Sequence, residues 1–229
     1  MTSLRLPLLC CLFASCASTA PSSSGTWIDL FDGKTLNGWV THGGHYDGDA
    51  GWTVENGAIT GRQGPKGEGG LIYTARPYTE FELELDVKMD EPFDSGIFVR
   101  MAPVGRGAQV TLDLVPDGEV GAIYSDAFLQ HNATARARYK NGQWNHFRVQ
   151  CTGADMHIQT WMNGEEIVDY AVPPNSPGFA PAGLIGLQVH AIATIRRRTK
   201  CSSGTSSCAS SRRRRRTRSC RTMASASRP

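Results

Sequence analysis

The sequence predicts an all-β protein built as an antiparallel sandwich or jelly roll. In the segment 81–89, FELELDVKM, five apolar residues alternate with four charged ones, which is typical of a strand with one buried face. Two pairs of strand-like segments are separated by the dipeptides Asn56-Gly57 and Asn163-Gly164, the turn residues of tight β-hairpins. No segment shows a helical period of useful length. Many short strands with Gly and Pro turns favour two packed antiparallel sheets.

The strands follow one another along the chain with turn residues between them. Two segments predict hairpins, at 51–61 (GWTVENGAITG) and 156–170 (MHIQTWMNGEEIVDY). Single strands are predicted at 70–74, 81–89, 95–101, 108–114, 120–125, 146–153 and 183–190. Residues 126–143 have a weak pattern and predict a long loop, and long loops on β sandwiches are often functional.

The N-terminal residues predict an export signal. Arg5 is followed by the short apolar run LPLLCCLFASCAS, which is too short to span a bilayer as a stable helix. LFASC resembles a bacterial lipobox, which favours lipidation at Cys16 over simple cleavage, and ASTAPSSSGT is typical of a flexible tether. We therefore expect residues 1–25 to be a disordered signal and tether. The mature protein would be a membrane-anchored lipoprotein of the periplasm or cell envelope.

Charge divides the chain into an acidic body and a basic tail. Residues 191–229 contain eleven Arg, one Lys and no acidic residue, which leaves 12 basic against 21 acidic residues before them. Runs of Arg, Ser and Cys without acids are what a GC-rich gene gives when read out of frame, so we favour a frameshift near residue 190 and a disordered tail. The alternative is a natural basic tail that binds an anionic surface or folds back on the body. An export signal argues against nucleic acid as a partner.

Cysteine usage and motifs exclude several classes of protein. The body contains a single cysteine, Cys151, so it is not a disulfide scaffold, and alternation with Phe147 and Val149 predicts that Cys151 is packed. The sequence has no phosphate-binding loop, dinucleotide fingerprint, Gly-x-Ser-x-Gly motif or paired CxxC.

An ordered set of segments over about residues 26–190 resembles the bacterial 3-keto-disaccharide hydrolase domain family. The segments are LFDGKTLNGW (30–39), WTVENGAITG (52–61), GGLIYT (69–74), FELELDVKM (81–89), DSGIFVRM (94–101), GAIYS (121–125), GQWNHFRV (142–149), WMNGEEIVDY (161–170) and GLIGLQVH (183–190). The resemblance implies a concanavalin-like jelly roll that cleaves 3-keto-glycosides. After the Q-x-H pair such domains continue with a glycine and a strand of the type V-x-F-R-N-I, whereas here Ala191 and the basic tail follow.

The implied reaction needs a base near C2 of the sugar, a partner for the enolate oxygen and an acid for the leaving oxygen. Alternation places Arg100 on one face with Phe98, where it could hold an enolate or sugar oxygen. It could instead pair with the acids of the neighbouring strand. Asp113 shares a face with Gln109 and Thr111, and is a catalytic candidate or a solvated strand residue. The family commonly has an acidic residue and a glutamine where Gln109 and Thr111 fall.

Three further residues are candidates for the site. Tyr124 could stack on a sugar ring, or be an ordinary core-edge tyrosine. Gln188 and His190 resemble the family's Q-x-H pair, and histidine is a common catalytic base or acid.

No cofactor is predicted, and the alternative function is a carbohydrate-binding module without catalysis. The loop with His42, His45, Asp47 and Asp49 could bind a divalent metal, although an ordinary polar loop is favoured. A binding module on the same fold would need only stacking and hydrogen bonds, and the fold does not separate the two functions.

Overall fold

The computed structural model describes residues 26–102, 107–191 and the four-residue strand 221–224. The described residues form two antiparallel sheets and a separate hairpin, as the alternation predicts. The six-stranded sheet has the order β1 (Thr26–Asp29), β15 (Arg221–Ala224), β6 (Phe81–Val87), β11 (Asn145–Thr152), β12 (His157–Met162) and β13 (Glu165–Ala171). The seven-stranded sheet has the order β10 (Phe128–Gln130), β9 (Val120–Tyr124), β8 (Ala108–Asp113), β7 (Asp94–Met101), β14 (Leu184–Val189), β5 (Gly70–Thr74) and β2 (Trp39–Val40). The hairpin consists of β3 (Gly51–Glu55) and β4 (Ala58–Arg62).

One hydrophobic core lies between the two sheets. Leu83 of β6 and Phe147 of β11 pack in the same buried cluster as Ile97 of β7 and Val110 of β8. The alternation of FELELDVKM is confirmed, because Phe81, Leu83 and Leu85 are buried while the glutamates between them are partly exposed. Each buried aliphatic or aromatic side chain of this kind contributes about 1.5–3 kcal/mol to folding. Side chains on the second face of each sheet point away from this core.

Both Asn-Gly dipeptides form hairpin turns as predicted. Asn56 and Gly57 have φ of 53° and 77°, and Asn163 and Gly164 have φ of 54° and 91°. Positive φ at both central residues is the geometry that matches the twist of two-residue hairpins, and Asn and Gly adopt it at the least cost.

The segment 126–143, expected to be a loop, contains two short elements. Phe128–Gln130 form edge strand β10 on β9, and Ala135–Arg138 form one turn of 3₁₀ helix. The strand has only three residues and a register shift, so it carries no alternating pattern that sequence reasoning could detect.

The terminal segments fall mostly outside the described residues. The predicted signal, Cys16 and most of the basic tail lie there, and no structure is assigned to them. Arg221–Ala224 depart from the expected disorder, because their backbone pairs with both β1 and β6 in the six-stranded sheet. In the described part of the chain, no helix is long and apolar enough to cross a membrane.

Candidate functional site

A strip of polar side chains lies on the outer face of the seven-stranded sheet, the face away from the core. On β8, Gln109, Thr111 and Asp113 alternate with the core residues Val110 and Leu112, as the sequence predicts. We call the following residues the polar strip: Asp94, Gln109, Thr111, Asp113, Gln188 and His190. They come from the adjacent strands β8, β7 and β14 and from the residue that follows β14.

Two predicted residues, Gln109 and Gln188, meet directly in the centre of the polar strip. Nε2 of Gln109 donates to Oε1 of Gln188 at 2.8 Å and to the backbone oxygen of Ser95 at 3.3 Å. The two glutamines stand on strands that flank β7, so the side chain of Gln109 must pass over β7 to reach its partner. Gly96 of β7 makes this passage possible, because a Cβ there would lie 2.0 Å from Nε2 of Gln109.

His190 lies at one end of the polar strip beside Asp94. Its Nε2 is 3.7 Å from Oδ2 of Asp94, and its backbone N–H donates to the backbone oxygen of Asp94 at 3.3 Å. The Nδ1 atom of His190 is buried and has no hydrogen-bond partner among the described residues. Gln63, which follows the β3–β4 hairpin, donates through Nε2 to the backbone oxygen of His190 at 3.2 Å. The imidazole of His190 therefore lies near a carboxylate, and two hydrogen bonds hold the backbone of His190 in place. This arrangement suits a group that accepts a proton.

Asp113 is buried at the same end of the polar strip as His190. It is the register partner of Asp94, so two acidic residues stand side by side on neighbouring strands. Oδ1 of Asp113 accepts the backbone N–H of Val115 at 3.0 Å, which closes the turn after β8. Asp113 thus has a structural hydrogen bond in addition to its place in the polar strip.

The guanidinium of Arg100 does not lie on the polar strip, and the expectation that Arg100 shares a face with Phe98 is wrong. Arg100 has a φ of 50°, which breaks the alternation of β7 and turns its side chain toward the interior. The side chain is fully buried, and Nε and Nη1 donate to the backbone oxygens of Thr79 and Ala154. Met101 then occupies the outer face in a small apolar cluster with Phe98.

The Gly-rich loop 41–50 covers the apolar end of the outer face. Gly44 lies directly against Tyr73, since a Cβ there would be 2.1 Å from the ring, and the ring of Tyr46 lies 5.8 Å from that of Phe98. Burial, together with the charge of Asp47, raises the pKa of the Tyr73 hydroxyl. Loop 41–50 therefore borders the outer face of the seven-stranded sheet at its apolar end.

The same loop brings His45 to a second acidic residue. Nε2 of His45 is 3.9 Å from Oδ1 of Asp126, which has a φ of 57° in the turn after β9. His42 lies 3.7 Å from Asp47, whose carboxylate accepts the backbone N–H groups of Gly43 and Gly44. In the part of the chain that the structure describes, no three His, Cys, Asp or Glu side chains are grouped so that they could hold a metal ion.

Tyr124 stands at the remaining edge of the outer face. It is the register partner of Gln109, and its ring contacts the ring of Phe128 at 5.4 Å between centroids. Sequence reasoning missed Asp94, Asp126 and Phe128 as neighbours of the predicted site. No local motif marks them, and only the order of the strands brings them there.

Comparison with known proteins gives a consistent result. A family model described as a 3-keto-alpha-glucoside-1,2-lyase-like domain matches residues 26–199. A 3-keto-disaccharide hydrolase from Bacteroides thetaiotaomicron is 36% identical over 83 residues, which is 34% of this chain and 28% of that protein. The matched segment thus spans under a third of that relative's length.

A solved structure with a TM-score above 0.5 shows the same fold. A Parabacteroides distasonis protein named as a glycosyl hydrolase superposes with a TM-score of 0.53 and 20% identity over 73% of this chain and 88% of that chain. A carbohydrate-binding module, CBM66 from Bacillus subtilis, superposes with a TM-score of 0.45 and 15% identity over 67% of this chain and 88% of that chain, too distant to bear on function. The family match covers most of the sandwich and all residues of the polar strip, so this chain belongs to the 3-keto-alpha-glucoside-1,2-lyase-like domain family.

Proposed function

We propose that this chain cleaves 3-keto-glycosides on the outer face of the seven-stranded sheet, with His190 as the proton-transferring group. The observation that carries the proposal is the approach of His190 to Asp94 beside the contact between Gln109 and Gln188. Family membership and the name of the Bacteroides relative support the substrate class.

The chemistry begins at the carbon next to the ketone. A ketone at C3 makes the C2 proton acidic, and a base can remove it to give an enolate. The enolate then re-forms the ketone as a C1–C2 double bond is made and the C1–O bond breaks. The leaving oxygen takes up a proton, and water adds to the double bond in a later step. One base, one hydrogen-bond donor for the enolate oxygen and one acid are sufficient.

The polar strip offers groups for the first two roles. The imidazole of His190 accepts the C2 proton, and the carboxylate of Asp94 favours the imidazolium that results because opposite charges attract. Gln109 directs its Nε2 toward Ser95 and Gln188. The N–H groups of Gln188 are then the donors that we assign to the substrate's ketone oxygen.

A non-catalytic carbohydrate-binding module is the second candidate. The resemblance places Gln109 and Thr111 where the family commonly has an acidic residue and a glutamine, and the hydroxyl of Thr111 is engaged with backbone. It donates to the backbone oxygen of Glu119 at 2.9 Å and accepts the backbone N–H of Ala122 at 3.0 Å. Neither Gln109 nor Thr111 supplies a titrating group, and binding requires none.

Incubation with a 3-keto-disaccharide, following release of the free sugar, separates the two functions. The unmodified chain should release sugar, and His190→Gln should lower kcat at least a hundredfold, the contribution typical of a positioned acid or base. His157→Gln is a matched control, because His157 also lies near an aspartate (2.6 Å from Asp169) but belongs to the other sheet. Binding without release by the unmodified chain would favour the module. Release that His190→Gln leaves unchanged would remove His190 from the mechanism.

A further inference from the structure

We propose that Tyr124, Phe128 and His131 form an aromatic platform that binds the second sugar ring of a disaccharide, beside the ring that reacts. This inference rests on the proposed function, because it names where the rest of that substrate lies. The platform is set apart from the polar strip by its chemistry, since three aromatic rings in mutual contact form it, whereas amides, carboxylates, a hydroxyl and one imidazole form the strip.

The three rings form a continuous group on the outer face. Phe128 contacts Tyr124 edge to face, with centroids 5.4 Å apart and planes at 77°. His131 stacks on Phe128 at 4.6 Å with planes at 29°. Phe128 is the register partner of Tyr124, and Tyr124 is the register partner of Gln109. Paired residues of neighbouring strands point to the same face, so the platform continues the surface of the polar strip.

The platform is tied to the site by hydrogen bonds through Glu119. Nδ1 of His131 lies 2.7 Å from one carboxylate oxygen of Glu119, and the other oxygen accepts the backbone N–H of Asn132. The backbone oxygen of the same Glu119 accepts the hydroxyl of Thr111 in the polar strip. The rings are thus held before any ligand arrives, which lowers the entropy lost on binding.

Exposure and spacing point to a sugar as the occupant. Phe128 is 46% exposed although it is a large aromatic residue on a strand, so its ring offers an apolar surface to solvent. β10 lies two strands from β8, roughly 10 Å from Gln109, which is about one sugar ring beyond the polar strip. A pyranose has an apolar face of C–H groups that can cover an aromatic ring, while its hydroxyls remain free for the polar groups alongside.

Kinetics with two substrates test the platform. A 3-keto-disaccharide would cover the polar strip and the platform, whereas methyl 3-keto-glucoside would cover the polar strip alone. Phe128→Ala should raise KM for the disaccharide about tenfold, the scale of one aromatic contact, and leave KM for the methyl glycoside unchanged. Phe128→Trp should keep KM for the disaccharide near that of the unmodified chain. Leu129→Ala is the matched control, because Leu129 is also an exposed apolar residue of β10 but contributes no ring to the platform.

Calorimetric titration with the unoxidised disaccharide distinguishes failure of the platform from failure of the proposed function. Suppose that the unmodified chain cleaves neither substrate but binds the disaccharide, and that Phe128→Ala loses this binding. That result would support the platform and refute the proposed cleavage. Equal effects of Phe128→Ala on both substrates, or no effect on either, would overturn the platform while cleavage stands. A chain that neither cleaves nor binds the disaccharide would overturn both.

Discussion

The substitution Gly96→Ala should destabilise the protein by pushing Gln109 away from Gln188. The new Cβ would lie 2.0 Å from Nε2 and 2.6 Å from Cδ of Gln109, so the side chain must move. The lost amide hydrogen bond costs about 1 kcal/mol, and crowding in a packed site costs about 1–3 kcal/mol. Because φ of Gly96 is not in the left-handed region, alanine returns about 0.4–1 kcal/mol through the unfolded state. The net loss should be about 1–3.5 kcal/mol.

Thermal unfolding of four variants measures this loss and assigns its cause. A loss of that size lowers Tm by about 2–14 °C in a domain of this length. The control is Gly51→Ala, since the nearest atom to a Cβ at residue 51 is 4.0 Å away and that glycine also lies in a strand without positive φ. The remaining variants are Gln109→Ala and the double variant Gly96→Ala/Gln109→Ala.

The double variant provides the refuting result. If the clash with Gln109 is the cause, Gly96→Ala should cost almost nothing once Gln109 is truncated. The double variant should then lie within about 0.5 kcal/mol of Gln109→Ala. If the losses in free energy of unfolding for Gly96→Ala and Gln109→Ala instead add in the double variant, Gly96 is needed for another reason. The contact between Gln109 and Gln188 would then not depend on Gly96.

Three further predictions concern other parts of the chain. Arg100→Met should lower the free energy of unfolding by about 2–4 kcal/mol in chemical denaturation, because it removes the two hydrogen bonds that the buried, charged guanidinium donates to the backbone oxygens of Thr79 and Ala154. A sugar-binding role would instead show as a raised KM at unchanged stability. Burial raises the pKa of Cys151 and of Tyr139 to about 12. Their unfolded forms ionise at lower pH, so stability should be complete below about pH 9 and fall toward pH 12, as urea titrations at several pH values would reveal. Constant stability across that range would contradict the burial. In a bacterial host, Cys16→Ala should move the protein from the membrane to the soluble fraction, and unchanged partition would remove the proposed lipid anchor.

Sequence reasoning succeeded where the information is local. Alternation in FELELDVKM and the two Asn-Gly turns are set by neighbouring residues, and the structure has each of them. The polar face of β8 follows from the same period of two. These features needed no knowledge of which strand lies beside which.

Sequence reasoning failed where one residue departs from the regular backbone. The same period of two placed Arg100 beside Phe98, but a positive φ at Arg100 reverses the face from that residue onward. A non-glycine residue with positive φ is uncommon, and no motif around Arg100 signals it. The proximity of His45 to Asp126 could not be predicted either, because it depends on how loop 41–50 lies across a sheet formed by distant strands.

Strand β15 and the polar strip belong to different sheets, so β15 affects the stability of the fold and the candidate site in different ways. The strand slot filled by Arg221–Ala224 lies in the six-stranded sheet, where it pairs with Phe81–Glu84 of β6. The polar strip belongs to the other sheet, and His190 is its last described residue along the chain. Loss of β15 would therefore expose backbone groups of β6 and lower stability, while the side chains of the polar strip keep their supporting strands. Within the part of the chain that the structure describes, β15 thus contributes to the stability of one sheet, and the polar strip is built by the strands of the other sheet.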